Sequence, residues 1–270
     1  MTLQLGKFAT LMGYEVFDST ANPNFSHSLN YGEYPYTHTG VRATWALGES
    51  TNLIAGINNG WDQMKDVNSQ KTLELGLSSS AIKPFTVAGT MYTGVEPVLP
   101  PASYRQASYT TPAGVSPGYA SNAAAQGNRT MLDTVITYPA TASLTLVLNA
   151  TWSMQDGVAY ADGSTHRVKW YGAAAYANWQ LDPKSRLSLR LERFDDRDGY
   201  KTWLFGDGSL GTDYRDDEAT LTFGHAQADD FEWRAEARVD VVNRDGVFAR
   251  PDGASTRTGI GAGLQGIYKF

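Results

Sequence analysis

From residue 231 to residue 241 apolar and charged side chains alternate without a break. Phe231, Trp233, Ala235, Ala237, Val239 and Val241 share one parity, and Glu232, Arg234, Glu236, Arg238 and Asp240 share the other. Helical winding would spread these apolar groups around the whole circumference, whereas a strand puts them all on one side and the charges on the other. The segment therefore reads as a strand between two unlike media. Strands of this kind recur along the chain, and no amphipathic helix is available to cover their apolar faces. A lipid-facing barrel with a wet interior accounts for that better than a soluble sheet does.

Composition agrees. The 270 residues contain no apolar run of the roughly 18 needed for a membrane helix. Their mean hydropathy is −0.36. A barrel wall is only half apolar and stays hydrophilic on average. The 27 glycines and 12% aromatic content suit tight turns, lumen packing and interfacial girdles. With no cysteine there is neither a disulfide framework nor a thiolate metal site. A net charge of −6 without a basic patch argues against nucleic acid as a partner. The amino end, Met1 to Lys7, lacks the basic stretch, apolar core and cleavage site of a secretory leader and opens directly in a strand-like segment. The chain therefore reads as either mature or truncated, with truncation the expectation.

The rhythm of strand formers predicts about twelve antiparallel strands, most near the roughly 9–11 residues that cross a bilayer when tilted. They lie near 2–8, 37–47, 51–59, 71–79, 84–93, 129–138, 142–154, 167–181, 185–195, 216–226, 231–242 and 258–270. Short turns at 48–50, 80–83, 139–141, 182–184 and 227–230 take strict turns with long connections at 9–36, 60–70, 94–128, 155–166, 196–215 and 243–257. Outer-membrane barrels show this asymmetry, with tight periplasmic turns and long external loops. Aromatic side chains on both parities of 167–181 suggest a bulge there. In the last strand Ile260, Ala262, Leu264, Gly266, Tyr268 and Phe270 share one parity. A final aromatic in that register resembles the terminal signal read by the barrel-assembly machinery.

The run from Gly6-Lys7-Phe8 through Gly13-Tyr14-Glu15 and Asn24-Phe25-Ser26-His27-Ser28 to Pro35-Tyr36-Thr37-His38-Thr39-Gly40-Val41-Arg42-Ala43 resembles the OmpL-like family of bacterial outer-membrane β-barrel porins. Residues 44–270 are similar in style, including Asn59-Gly60-Trp61-Asp62 after a strand. The resemblance implies an all-β transmembrane barrel in the bacterial outer membrane. Residues 1–270 would be one barrel domain, part of a larger barrel of about sixteen strands whose first strands precede Met1. It also implies passive diffusion of small hydrophilic solutes or ions, with outer-membrane lipid, lipopolysaccharide and, through Phe270, the assembly machinery as partners. No cofactor is implied.

The candidate pore-lining residues are Arg42, Arg186, Arg190, Glu192, Glu232, Arg234, Glu236, Arg238 and Asp240, which parity sends inward. Charges of both signs could set up a transverse field across a water-filled pore, or could pair with one another and stiffen the interior. Both readings stand. Segment 9–36, with Tyr14, Glu15, His27 and Tyr31, is the candidate constriction, by analogy with porin loops that fold inward. The Pro-, Ala- and Ser-rich stretch 94–128 suits a disordered external flap. Asp195, Asp196, Asp198, Asp207, Asp213, Asp216 and Asp217 read as a solvated acidic loop, with divalent-ion binding as the sharper alternative.

Two glycine patterns, Gly206-Gly208-Gly211 and Gly261-Gly263-Gly266, imitate a phosphate loop but open no helix. Gly259, Gly261 and Gly263 fit better as small inward residues that let another element approach. Asp162, Ser164 and His166 are too close in sequence to make a conventional triad, and the scattered His27, His38, His166 and His225 show no metal-ligand spacing, so neither catalysis nor a metal is expected. Trp152, Trp179, Trp233 and Tyr268 are candidate girdle residues, with sugar stacking as the alternative for some of them. The competing functional class is a soluble all-β carbohydrate-binding or surface interaction module.

Overall fold

The computed structural model describes residues 1–66, 68–98, 126–160, 164–201, 211–250 and 252–269. Strands β1 (Thr2–Ala9), β2 (Thr37–Ala46), β3 (Thr51–Asn58), β4 (Thr72–Ser79), β5 (Thr86–Pro97), β6 (Gln126–Pro139), β7 (Leu144–Ala159) and β8 (Thr165–Gln180) run in meander order. They continue through β9 (Ser185–Asp196), β10 (Tyr214–Ala228) and β11 (Phe231–Val242). A two-residue hairpin of β12 (Phe248–Ala249) and β13 (Ser255–Thr256) precedes the last strand of the wall, β14 (Thr258–Tyr268). The result is one twelve-stranded antiparallel sheet rather than the two packed sheets of a sandwich. One 3-10 turn, Asn30–Glu33, lies between β1 and β2. No helix among the described residues is long and apolar enough to cross a membrane.

All twelve predicted strands form, and tight and long connections alternate between the two ends of the sheet as expected. Two details differ. The pairing of β8 runs without a shift from Val168 to Trp179 against β7 and from Tyr171 to Gln180 against β9, so no bulge interrupts 167–181. Its aromatics occupy both parities because both faces use them: Trp170 and Tyr176 are buried inside, while Trp179 is half exposed outside. The register shift sits in β7 instead, between Gln155 and Val158, where Gly157 adopts a φ of 77°. The extra residue flips the parity, turns Val158 inward and lets pairing continue to Ala159 and Thr165, so the connection is shorter than the predicted 155–166.

Burial is inverted relative to a soluble sheet. In β9, Leu191 is 50% exposed and its neighbour Arg190 is 0% exposed. Leu146, Leu148, Leu221 and Ile57 likewise face outward, while Ser153, Ser188, Thr220, Thr222 and Arg234 are fully or almost fully buried. Only an apolar outer medium makes that arrangement favourable. Near the short-turn end, Phe85 stacks with Tyr138 at 5.2 Å and Trp233 packs on Phe223 at 5.4 Å. Trp179 and Tyr268 are exposed at the same end, the position of an interfacial girdle.

The inner face is zoned. At the long-connection end Val158, Val168, Trp170, Phe194, Tyr200, Tyr214 and Val242 form a buried apolar cluster. Below it the inner face of β9, β10 and β11 is polar and charged. Leu191→Arg, midway along β9 on the outer face, is expected to lower folding stability in lipid vesicles by about 2–4 kcal/mol, the cost of a guanidinium at the bilayer midplane. Urea titration of the refolded chain measures this. An unchanged midpoint would mean that the outer face does not meet hydrocarbon.

Candidate pore constriction

Residues 10–36 fold against the inner face of the wall. The segment leaves β1 at the long-connection end, descends toward the short turns and climbs back to β2, and the wall's polar side chains hold its backbone throughout. On the way down, Gly13 N donates to Asp133 Oδ1 at 3.0 Å and Tyr14 N to Asn149 Oδ1 at 3.2 Å. At the bottom, Arg234 donates to the carbonyls of Ser19 and Thr20, and Arg186 Nη1 to Pro23 O at 2.8 Å. On the return, the Phe25 and Ser26 N–H groups donate to Glu236 at 2.9 and 3.1 Å, and those of Leu29 and Asn30 to Glu192 at 2.6 and 2.7 Å. Arg238 Nη1 donates to His27 O at 3.0 Å.

This pattern has a simple cause. An irregular segment offers no strand ladder, yet its buried peptide groups still need partners. Carboxylates accept from its N–H groups and guanidinium groups donate to its carbonyls. Glycines on the wall supply room: a Cβ at Gly172 would overlap the Asn30 side chain, one at Gly263 would lie 2.7 Å from the Phe25 ring, and one at Gly76 3.0 Å from Leu11. Gly259 makes similar room for Phe248, at 2.7 Å, whereas nothing approaches Gly261 within 4 Å. Val147, on the inner face of β7, packs with Ala174 and Tyr176 to form the floor on which Tyr14 rests.

Tyr14, Glu15, His27 and Tyr31 converge. Tyr14 lies 4.7 Å from the Tyr176 ring and its hydroxyl accepts from Asn178 Nδ2 at 3.0 Å. Glu15 accepts from Tyr176 OH at 3.0 Å, Arg190 Nη1 at 2.9 Å and Ser28 N at 2.9 Å, and His27 Nδ1 lies 3.0 Å away. His27 stacks on Tyr31 with ring centres 3.7 Å apart. Burial opposes ionisation of Glu15, but the hydrogen bond to His27 and the charge of Arg190 outweigh it and hold the carboxyl below its ordinary range. Glu33, in the 3-10 turn, behaves oppositely. Its burial outweighs the pull of Lys201, 3.0 Å away, and raises it from 4.5 to about 7.

Of the nine inward charges read from parity, eight stand on β9 and β11 and belong to this network. Arg190 bridges Glu218 at 2.9 Å and Glu15, Glu232 pairs with Arg186 and with Arg234 at 2.7 Å, and Asp240 pairs with Arg238 at 2.6 Å. Arg42 stands apart on β2, paired with Glu74, donating to Ala9 O at 3.0 Å and lying 4.1 Å over the Phe8 ring. Sequence reading passed over Glu74, Asp133 and Glu218, all buried and hydrogen bonded on the inner face. Their inward parity was the available signal. The Asn59–Asp62 motif also acquires a role: Asp62 Oδ1 accepts from the N–H groups of Tyr36 and Thr37 at 2.8 and 2.7 Å, fixing the point where the segment re-enters the wall.

The remaining candidates are scattered. Ser164 Oγ lies 2.7 Å from His166 Nε2 at an exposed position, and Asp162 falls outside the described residues. Asp195 pairs with Arg197, Asp213 with Arg215 and Asp217 with Arg193, while Asp196 accepts from the N–H groups of Tyr200 and Lys201 and Asp198 from that of Lys169. Asp216 accepts from Tyr214 OH at 3.2 Å. Asp207, Gly206, Gly208, most of 94–128 and Phe270 lie outside the described residues. Among the described residues no His, Asp and Glu cluster could hold a metal ion.

Comparison with known proteins places this geometry. The model of the family described as "Putative beta-barrel porin-2, OmpL-like" matches residues 1–270. The fold is similar to that of the outer-membrane channel DcaP of Acinetobacter baumannii, with a TM-score of 0.59 and 12% identity over 98% of this chain and 71% of that one. It is also similar to OmpT, an outer membrane protein of Vibrio cholerae, with a TM-score of 0.56 and 12% identity over 99% of this chain and 76% of that one. A comparison with curated proteins finds no match. An inside-out antiparallel wall and a family model spanning every residue lead to one conclusion: the chain belongs to the OmpL-like β-barrel porin family and is a channel of the bacterial outer membrane.

Proposed function

We propose that residues 10–36 form the constriction of this channel, and that small hydrophilic solutes and ions diffuse passively through the space the segment leaves open. The observation that carries this reading is the clamp: Glu192 and Glu236 each accept from two consecutive N–H groups, while Arg186, Arg190, Arg234 and Arg238 donate to carbonyls of the same segment. A segment so held has a fixed position and can set a fixed aperture. In this proposal the inward charges act mainly by holding the aperture and only secondarily by biasing ions with their field. Phe270 would engage the assembly machinery, a role supported by the outward parity of Ile260, Leu264 and Tyr268 in the same strand.

Planar-bilayer recording of the full chain tests this. The wild type is expected to give discrete steps. The double substitution Glu192→Ala and Glu236→Ala removes the carboxylate acceptors of four N–H groups of the segment, each such charge-assisted hydrogen bond being worth about 1.5–3 kcal/mol, and is expected to raise unitary conductance and noise. Gly172→Leu, which evicts Asn30, should do the same from a different strand. Unaltered conductance in both variants would remove the segment from the conducting path.

A second prediction concerns pH. Because burial lifts Glu33 from 4.5 to about 7, its charged form is penalised where the 3-10 turn is docked. That penalty is absent below 4.5, grows between 4.5 and 7, and is complete above 7. Glu33→Gln is therefore expected to raise the thermal midpoint in detergent above pH 7 and to leave it unchanged near pH 4.5. Differential scanning fluorimetry over that range decides it, and equal effects at both ends would refute the buried-charge account.

A further inference from the structure

Beneath the constriction segment, between Tyr14 and Thr20–Pro23 on one side and β7, β8, β9 and β11 on the other, lies a recess of about 400 Å³ at the short-turn end of the inner face. Pockets that bind small ligands measure roughly 300–1,000 Å³, so this one suits a solute of monosaccharide scale. Its lining is polar and of mixed character. Tyr14, Asn178, Gln180, Arg186, Ser188 and Glu232 contribute hydroxyl, amide, guanidinium and carboxylate groups. Two lining atoms, Asn178 Oδ1 and Ser188 Oγ, are buried without a hydrogen-bond partner in the structure, and Ser188 is 1% exposed. Orphaned polar atoms in a recess mark places where a polar ligand gains what the protein leaves unused.

The electrostatics select the ligand class. Glu232 is paired with Arg186 and with the buried Arg234, and Arg186 also donates to Pro23 O at 2.8 Å. An anion approaching Arg186 meets the Glu232 carboxylate, and a cation approaching Glu232 meets a guanidinium. Neither finds an unopposed counter-charge. A neutral hydroxyl-rich solute meets no such conflict, because each hydroxyl both donates and accepts and can follow a lining that alternates the two. We propose that this recess is a binding site for a neutral polyhydroxylated solute of monosaccharide size, sitting between the constriction and the short-turn mouth. The inference rests on the channel reading above and names the class of solute that would pause there.

D-glucose is the probe, with gluconate and methylammonium as charged controls, applied to the full chain. In bilayers, glucose is expected to reduce ion current saturably in the millimolar range, with gluconate and methylammonium weaker. Ser188→Ala should raise the half-blocking glucose concentration about fivefold, the loss of one hydrogen bond. Glu232→Gln, which leaves Arg186 unopposed, should shift preference toward gluconate. Saturation-transfer NMR of glucose on the detergent-solubilised chain reads binding without conductance. Ion current without saturable block or NMR transfer from glucose overturns the site and leaves the channel standing. Gluconate blocking better than glucose on the wild type also overturns it. Transfer from glucose, reduced by Ser188→Ala, in a chain that passes no current supports the site and overturns the channel reading instead.

Discussion

Hydrocarbon offers no partner to a peptide group, and an unsatisfied N–H or C=O there costs several kcal/mol. Every other feature of this wall follows from that constraint. The strands pair continuously from β1 to β14, and pleating then sends alternate side chains to opposite faces. Lipid outside requires one parity to be apolar. A polar interior releases the other parity for charge. The inverted burial of Leu191 and Arg190, neighbours in one strand, is the local expression of this division.

The same accounting extends inward. Residues 10–36 are irregular yet packed against the wall, so their backbone must find partners that are not strands. The wall provides them as side chains. Long Arg side chains reach carbonyls and Glu carboxylates take paired N–H groups, which explains why β9 and β11 carry alternating signs rather than one sign. Charged side chains suit this task better than hydroxyl groups because charge-assisted hydrogen bonds are roughly twice as strong and Arg presents several donors in a fixed fork. Pairing and docking coincide in the four inward arginines of β9 and β11, which pair with carboxylates and bind the segment at the same time, as Arg190 does with Glu218, Glu15 and Ser26 O.

Period and turn chemistry are local, and for that reason the strands, their faces and the alternation of short and long connections were readable from the residues alone. The convergence of Tyr14, Glu15, His27 and Tyr31 was indicated only by the clustering of a family-like motif. What escaped depended on distant packing. Asn30 beneath Gly172 and Tyr34 donating to Asn149 at 2.6 Å join residues more than a hundred positions apart, which no local pattern reports. The bulge was misplaced for an instructive reason. Aromatic side chains are welcome on both faces of a barrel, as girdle outside and packing inside, so Trp170 and Tyr171 on opposite parities carry no register information. Gly157, which can take the positive φ, was the better marker.

That bulge also brings β7 into the apolar zone of the interior. Before it, odd residues of β7 point inward, and they are polar: Asn149, Thr151, Ser153 and Gln155. After it, the even residue Val158 points inward and joins Val168, Trp170 and Tyr200. One inserted residue thereby adds Val158 to the apolar cluster without breaking the ladder to β8. The apolar cluster at the long-connection end buries Tyr200, next to Lys201, whose ammonium pairs with Glu33 of the 3-10 turn. The upper end of segment 10–36 is thus fixed by packing, by the Glu33–Lys201 pair and by the N–H groups of Tyr36 and Thr37 on Asp62, and its lower end by the charges of β9 and β11. The apolar cluster backs only the upper end, so salt weakens the lower anchorage more than the upper, while heating acts on the apolar contacts.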